Sequence, residues 1–166
     1  MRLVIFFLGF SAYGAYGDCP PANDAWRSVK SPGRYFLVKS TSSSPPQCAY
    51  VDSATDIDEN AKTGKYVYGQ LDKATNALTR NEGTVTAEGD KIIVTGESGV
   101  VTGTTLLLFS DYGVCDVVIG PRGDCELWVE QKNLKSISYG CCDTMFEGCA
   151  KGENIKNTYQ EDECTA

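Results

Sequence analysis

Hydrophobic and polar positions alternate through most of this chain in runs of five to eight residues, the period-two signature of strands with one buried face. Such runs cover 34–41, 47–52, 65–71, 83–88, 91–95, 104–110, 114–119 and 125–131. Turn-forming clusters separate them: Ser42 to Pro46, Asp72 to Asn76, Glu88-Gly89-Asp90, Gly96 to Gly103, Asp111-Tyr112-Gly113 and Gly120 to Asp124. About eight short strands in series predict an all-β domain, either an up-and-down barrel or a sandwich. The period lengthens at the two ends. Residues 22–30 predict a short helix capped by Asn23 or Asp24 and stopped at Pro32-Gly33, and residues 141–151 predict a second helix that ends at Gly152.

Residues 1–17 read differently. A basic Arg2, an apolar run from Leu3 to Phe10 and small residues at Ala15 and Gly17 predict a secretory signal, cleaved ahead of Asp18. The expected organisation is therefore a signal peptide at 1–17 and one domain at 18–166. No later run is long enough for a membrane span, so a secreted, extracellular protein is expected. Against 22 acidic residues stand 15 basic ones and no histidine, for a formal net charge of −7. That balance disfavours nucleic acid and anionic membrane as partners and weakly favours cations.

Eight cysteines, at 19, 48, 115, 125, 141, 142, 149 and 164, fit four disulfides in an oxidising compartment. Their pairing does not follow from count alone. Zinc is disfavoured, because histidine is absent and the adjacent Cys141-Cys142 lacks knuckle spacing. No cofactor or metal is expected. Enzymatic chemistry is also disfavoured: histidine-based triads are unavailable, no phosphate loop is present, and an acid pair inside a narrow barrel lacks the cleft of a glycosidase.

The candidate chemistry lies in Cys115-Asp116-Val117, Glu126-Leu127-Trp128 and Cys141. Alternation sets Asp116 on the opposite face from Cys115 and Val117, and Glu126 on the same face as Trp128. If that face lines a barrel, two acids and an aromatic surround a cavity. Acids there need protonation or an incoming cation, and a small aromatic amine fits. Phe109, Tyr66 and Tyr68 are further candidates for the aromatic lining. Trp26 is read as a structural plug.

These motifs resemble the tick salivary lipocalins, and among them the members that bind biogenic amines. The family pattern of Cys-Asp-aliphatic, Glu-Leu-aromatic and Cys is met in full, and Asp24-Ala25-Trp26-Arg27-Ser28 with Tyr35 to Thr41 is similar to the family's first helix and strand. The resemblance implies an eight-stranded antiparallel barrel with a short helix at the start and a C-terminal helix packed outside. It implies that Asp116 and Glu126 face the cationic groups of histamine, serotonin or tryptamine, that Trp128 packs on the ring and that Ser28 approaches the cavity floor. It also implies Cys48 joined to Cys164, Cys115 to one of Cys141 or Cys142 and Cys19 to the other, leaving Cys125 with Cys149. Some members hold a second amine near the mouth through residues just after the first strand. Ser42 to Pro46 offers neither acid nor aromatic there, so one site is expected. The implied role is a secreted, monomeric, non-enzymatic scavenger of host amines that suppresses inflammation or haemostasis at a feeding site. The alternatives are a lipocalin that takes a leukotriene or fatty acid, or one that binds a host protein such as a complement component through Ser42 to Pro46 or Gly96 to Gly103.

Overall fold

The computed structural model describes residues 19–164. The expected signal segment lies outside them. Along the chain the elements are α1 (Ala25–Lys30), β1 (Arg34–Ser40), β2 (Tyr50–Asp52), β3 (Thr55–Asp58), β4 (Thr63–Gly69), β5 (Leu71–Asp72), β6 (Ala77–Leu78), β7 (Asn81–Glu88) and β8 (Lys91–Gly96). They continue with β9 (Val101–Asp111), β10 (Cys115–Ile119), β11 (Cys125–Glu130), a 3₁₀ turn at Gln131–Asn133, α2 (Cys141–Ala150), β12 (Lys156–Asn157) and α3 (Glu161–Cys164).

Eight of these strands close a barrel in the order β11-β10-β9-β8-β7-β4-β2-β1, and β1 pairs antiparallel with β11 to seal it. Closure leaves no long unpaired edge, and eight strands enclose room for one small ligand. Of the barrel and the sandwich that the alternation left open, the architecture is the antiparallel barrel that the resemblance implied. Three small features were not anticipated: β3, whose residues are all exposed and carry no alternation; the β5–β6 hairpin; and β12, which adds to β1.

Helix α1 begins at Ala25 rather than residue 22, because Asp24 accepts a hydrogen bond from Arg27 N at 3.0 Å and thereby caps the first turn. It plugs one end of the barrel. Ala25 N donates to Gly89 O at 3.0 Å, Ala54 N donates to Val29 O at 2.8 Å, and Ala25, Trp26 and Val29 pack with the inward residues Val85, Ala87, Ile92, Leu107 and Val118. Trp26 lies in this plug, where its indole N–H reaches Glu59 at 2.7 Å.

Outside the barrel, α2 covers β9 to β11 through Phe146 and Ala150, which meet Phe109, Val117, Leu127 and Val129. Two disulfides strap this helix at both ends, Cys115–Cys142 and Cys125–Cys149. Cys19–Cys141 ties the start of the chain to the same helix, and Cys48–Cys164 holds the tail against β1 and β2, where Tyr159 packs on Phe36. At about 2–4 kcal/mol each, four bridges offset the weaker packing of a hollow interior.

Near the open end, backbone crowding sets one residue type. A Cβ on Gly69 would stand 1.9 Å from the carbonyl oxygen of Thr79, which also accepts the Tyr50 hydroxyl at 2.8 Å. Gly69→Ala is therefore expected to cost on the order of 3 kcal/mol or more, since backbone rather than a flexible side chain must give way. Thermal unfolding checks this, and an unchanged midpoint would contradict it.

Candidate functional site

Each acid of the motif follows a cysteine, and that order orients it. Cys115 and Cys125 turn outward to their partners on α2, so the next residue along each strand, Asp116 and Glu126, turns into the barrel. In the β10–β11 ladder Asp116 stands opposite Trp128, and Val118 stands opposite Glu126. The acids are thus diagonal neighbours, with strand positions about 7–8 Å apart. They differ in depth. Asp116 opens β10 at the plugged end beside α1, whereas Glu126 opens β11 beside the Gly120–Asp124 turn at the other end.

The cavity between them has a volume of about 290 Å³. Its wall includes Ser28, Tyr35, Tyr66, Tyr68, Ile92, Val94, Thr105, Val118 and Trp128 alongside the two acids. Among the described residues, no lysine or arginine lines it. Asp52 also borders it, but its carboxylate is already held by Arg34 at 2.6 Å and 3.0 Å.

At the floor, Ser28 Oγ donates to Asp116 Oδ2 at 2.9 Å. Burial pushes the Asp116 carboxyl up to about 6, opposed by the hydroxyls of Ser110 and Ser28. Ser110 stands opposite Asp116 in the β9–β10 ladder, buried, and its hydroxyl closes no hydrogen bond of full geometry. The same holds for the buried Tyr35 hydroxyl. Burial, reinforced by the Asp116 charge, raises the phenols of Tyr35 and Tyr66, so both remain neutral donors.

Toward the mouth, Trp128 Nε1 donates to Glu126 Oε2 at 2.9 Å. Burial raises the Glu126 carboxyl, and this indole hydrogen bond is the main opposing influence. Its seat depends on a glycine: a Cβ on Gly120 would fall 2.6 Å from Glu126 Oε1. Both acids are half-buried and line the cavity. Two carboxyls therefore stand in a low-dielectric chamber with aromatic walls and no cation of their own, a combination suited to a positively charged guest.

Of the residues expected from sequence, Asp116, Glu126, Trp128, Ser28, Tyr66 and Tyr68 all line this chamber, the two tyrosine rings 6.4 Å apart. Phe109 does not. It pairs with the outward Val117 and packs beneath α2, because a bulge at Leu108 breaks the alternation of β9: Phe109 pairs with Val117, but Leu107 pairs with the inward Val118. Tyr35, one of several aromatics that could face inward, is not among the residues picked from sequence, and Ser110 is not a candidate there at all. Parity along β1 offered a signal for Tyr35, whereas the inward turn of Ser110 depends on that same bulge.

The disulfides agree with the pairing that the resemblance implied, with Cys19 taking Cys141 and Cys115 taking Cys142. Comparison with known proteins gives the same direction. The family model described as tick histamine binding protein matches residues 18–166. AM182, solved in complex with serotonin, shares 40% identity at a TM-score of 0.77, over 88% of this chain and 96% of that one. Japanin from Rhipicephalus appendiculatus, bound to cholesterol, aligns at 11% identity and TM-score 0.57 over 82% of this chain and 98% of its own. The siderocalin Ex-FABP aligns at 13% and 0.56 over 80% and 95%. These last two share the fold alone. Family model, barrel and the 40% relative converge, and the chain belongs to the tick histamine-binding family of amine-binding lipocalins.

Proposed function

We propose that this protein is a secreted scavenger that sequesters a small aromatic amine in its barrel and thereby lowers the free mediator at a feeding site. The observation that carries the reading is the pair of buried carboxyls, Asp116 and Glu126, in a chamber lined by no basic side chain. Four disulfides fit an oxidising compartment, and the predicted leader at 1–17 fits export. The serotonin complex of AM182 supports an aromatic amine as the guest class.

In this reading the ammonium meets a carboxylate, the ring packs against Trp128 and the second acid takes the far end of the ligand. Histamine offers a cationic or donor imidazole there, and serotonin offers an indole N–H or hydroxyl. A ligand of about eight heavy atoms is limited to roughly 12 kcal/mol, so nanomolar capture requires nearly every atom to be engaged. Charge-assisted hydrogen bonds to desolvated carboxylates and cation–π contact supply the strongest terms of that kind. Binding is stoichiometric, and no catalytic step is proposed. A fatty acid or leukotriene would bring its own carboxylate into an acidic chamber without a basic partner.

Titration calorimetry with histamine, serotonin, tryptamine and noradrenaline, set against arachidonate and a leukotriene, tests the proposal. At least one amine is expected to bind more tightly than about 10 μM, well beyond either lipid. Failure of every amine to reach that level would overturn the reading.

A further inference from the structure

The turn between β10 and β11 carries Arg122-Gly123-Asp124, whose charged side chains reach the amine site only through minor, opposing influences on Glu126. The turn itself is well defined. Gly123 N donates to Gly120 O at 2.9 Å, and Gly120 N donates to Asp124 O at 2.8 Å. Pro121 takes the second position, where its fixed φ is favoured, and Gly123 adopts φ +88°, the left-handed residue that a three-residue hairpin loop requires. Proline and glycine thus account for the turn. Arg122 and Asp124 contribute no side-chain hydrogen bond to its backbone.

The Arg122 side chain is instead presented to solvent, and that of Asp124 is partly so. Pro121, Arg122 and Gly123 are exposed, with the Arg122 side chain 67% accessible and that of Asp124 23% accessible. Arg122 Nε lies 3.6 Å from Asp124 Oδ2, and Arg122 Nη2 makes a long contact of 3.4 Å to Ser42 Oγ. A partly exposed ion pair of this length adds little stability, so a partner separates the two charges at small cost. The mount is stiff, since Asp124 is followed directly by Cys125, which is bonded to Cys149 on α2. A loop held in place before binding loses less entropy when a partner engages it.

From this placement we infer that the β10–β11 tip is a docking site for an adhesion receptor that reads Arg-Gly-Asp. Such a receptor, of the integrin class, pairs the guanidinium with carboxylates in a bidentate fork and uses the aspartate to complete the coordination of a bound divalent cation. The glycine between them has no side chain to hold the two surfaces apart. This activity is independent of the amine reading. It would give one secreted protein two targets, a soluble mediator inside the barrel and a cell surface at its mouth.

The test is solid-phase binding of a purified Arg-Gly-Asp-reading integrin ectodomain to the immobilised protein in manganese buffer. Saturable binding is expected, abolished by EDTA and competed by a Gly-Arg-Gly-Asp-Ser peptide but not by its Gly-Arg-Gly-Glu-Ser counterpart. Asp124→Glu keeps the charge and the turn but displaces the carboxylate by one methylene. It is expected to weaken binding roughly 30-fold or more, the scale for breaking a desolvated charge contact, with an unchanged melting midpoint. Arg122→Ala is expected to do the same. Absence of saturable binding by the native protein, persistence in EDTA, or equal binding by Asp124→Glu would overturn the inference.

Discussion

Asp116→Asn is expected to make the ligand-free protein more stable and at the same time to abolish amine capture. The reason is that burial holds the Asp116 carboxyl near 6, above the usual carboxylate value of about 3.9. A group whose folded pKa is raised contributes its full stability below the unfolded pKa and loses it as pH rises through the folded one. Between pH 4 and 6 the folded state retains a proton that the unfolded chain has released. Above pH 6 the ionised, unpaired Asp116 costs on the order of 3 kcal/mol. Asparagine escapes that cost and can still accept from Ser28, whose hydroxyl lies 2.9 Å from Asp116. A rise of roughly 5 °C or more in the melting midpoint at pH 7.4 is expected, shrinking toward zero near pH 4.

Serotonin at about a hundred times its dissociation constant should stabilise the native protein by roughly 2.7 kcal/mol and leave the Asn variant unmoved. Affinity is expected to fall about 100-fold or more, since the variant cannot offer the ammonium a buried charge-assisted hydrogen bond. A variant that melts below the native protein, or that still responds to serotonin, would count against a binding role for this carboxyl. In the proposed function the site is a weakness in the fold that the guest relieves.

The second large effect concerns Trp128, which has two separable tasks. Its ring forms part of the cavity wall opposite Asp116, and its N–H holds the Glu126 carboxyl at 2.9 Å. Trp128→Phe keeps an aromatic face but removes the hydrogen bond that opposes the upward shift of Glu126. Glu126 then holds its proton to higher pH, and the loss of affinity should be about tenfold at pH 7.4 and greater at pH 6. Trp128→Ala removes the stacking surface as well, for a total of about 100-fold or more. Serotonin titrations at the two pH values separate the tasks. Equal losses for Phe and Ala would remove the ring from the account, and a pH-independent loss for Phe would remove the Glu126 hydrogen bond.

The strands were legible because alternation is a local signal that most of them show; the choice of a barrel over a sandwich came from the resemblance, and closure then leaves a hollow for whatever faces inward. Asp116, Glu126 and Trp128 could be placed together from spacing, since Cys115 and Cys125 define the outward parity on both strands. Phe109 could not. Its position depends on a bulge at Leu108, where neither glycine nor proline marks the break, so parity counted from Leu107 sends it to the wrong side of the sheet. Tyr35 and Ser110 illustrate a related limit. Their hydroxyls matter because they are buried near Asp116, a fact of three-dimensional packing that no residue type announces. Ser28 came from the resemblance, and the structure gives its physical reason: the Asp24 cap fixes where α1 starts and so which residue meets the floor.

The most direct measurement is the proton balance of serotonin binding, obtained by calorimetric titration at pH 6 in two buffers of different ionisation enthalpy. Serotonin's ammonium does not titrate there, so any proton exchanged belongs to the protein. With Asp116 near its midpoint in the empty barrel and ionised against the bound ammonium, the expected result is release of roughly half a proton or more per ligand, falling toward zero by pH 8. Binding with no dependence on buffer at pH 6 would contradict the claim that a buried, cation-seeking carboxyl captures the amine.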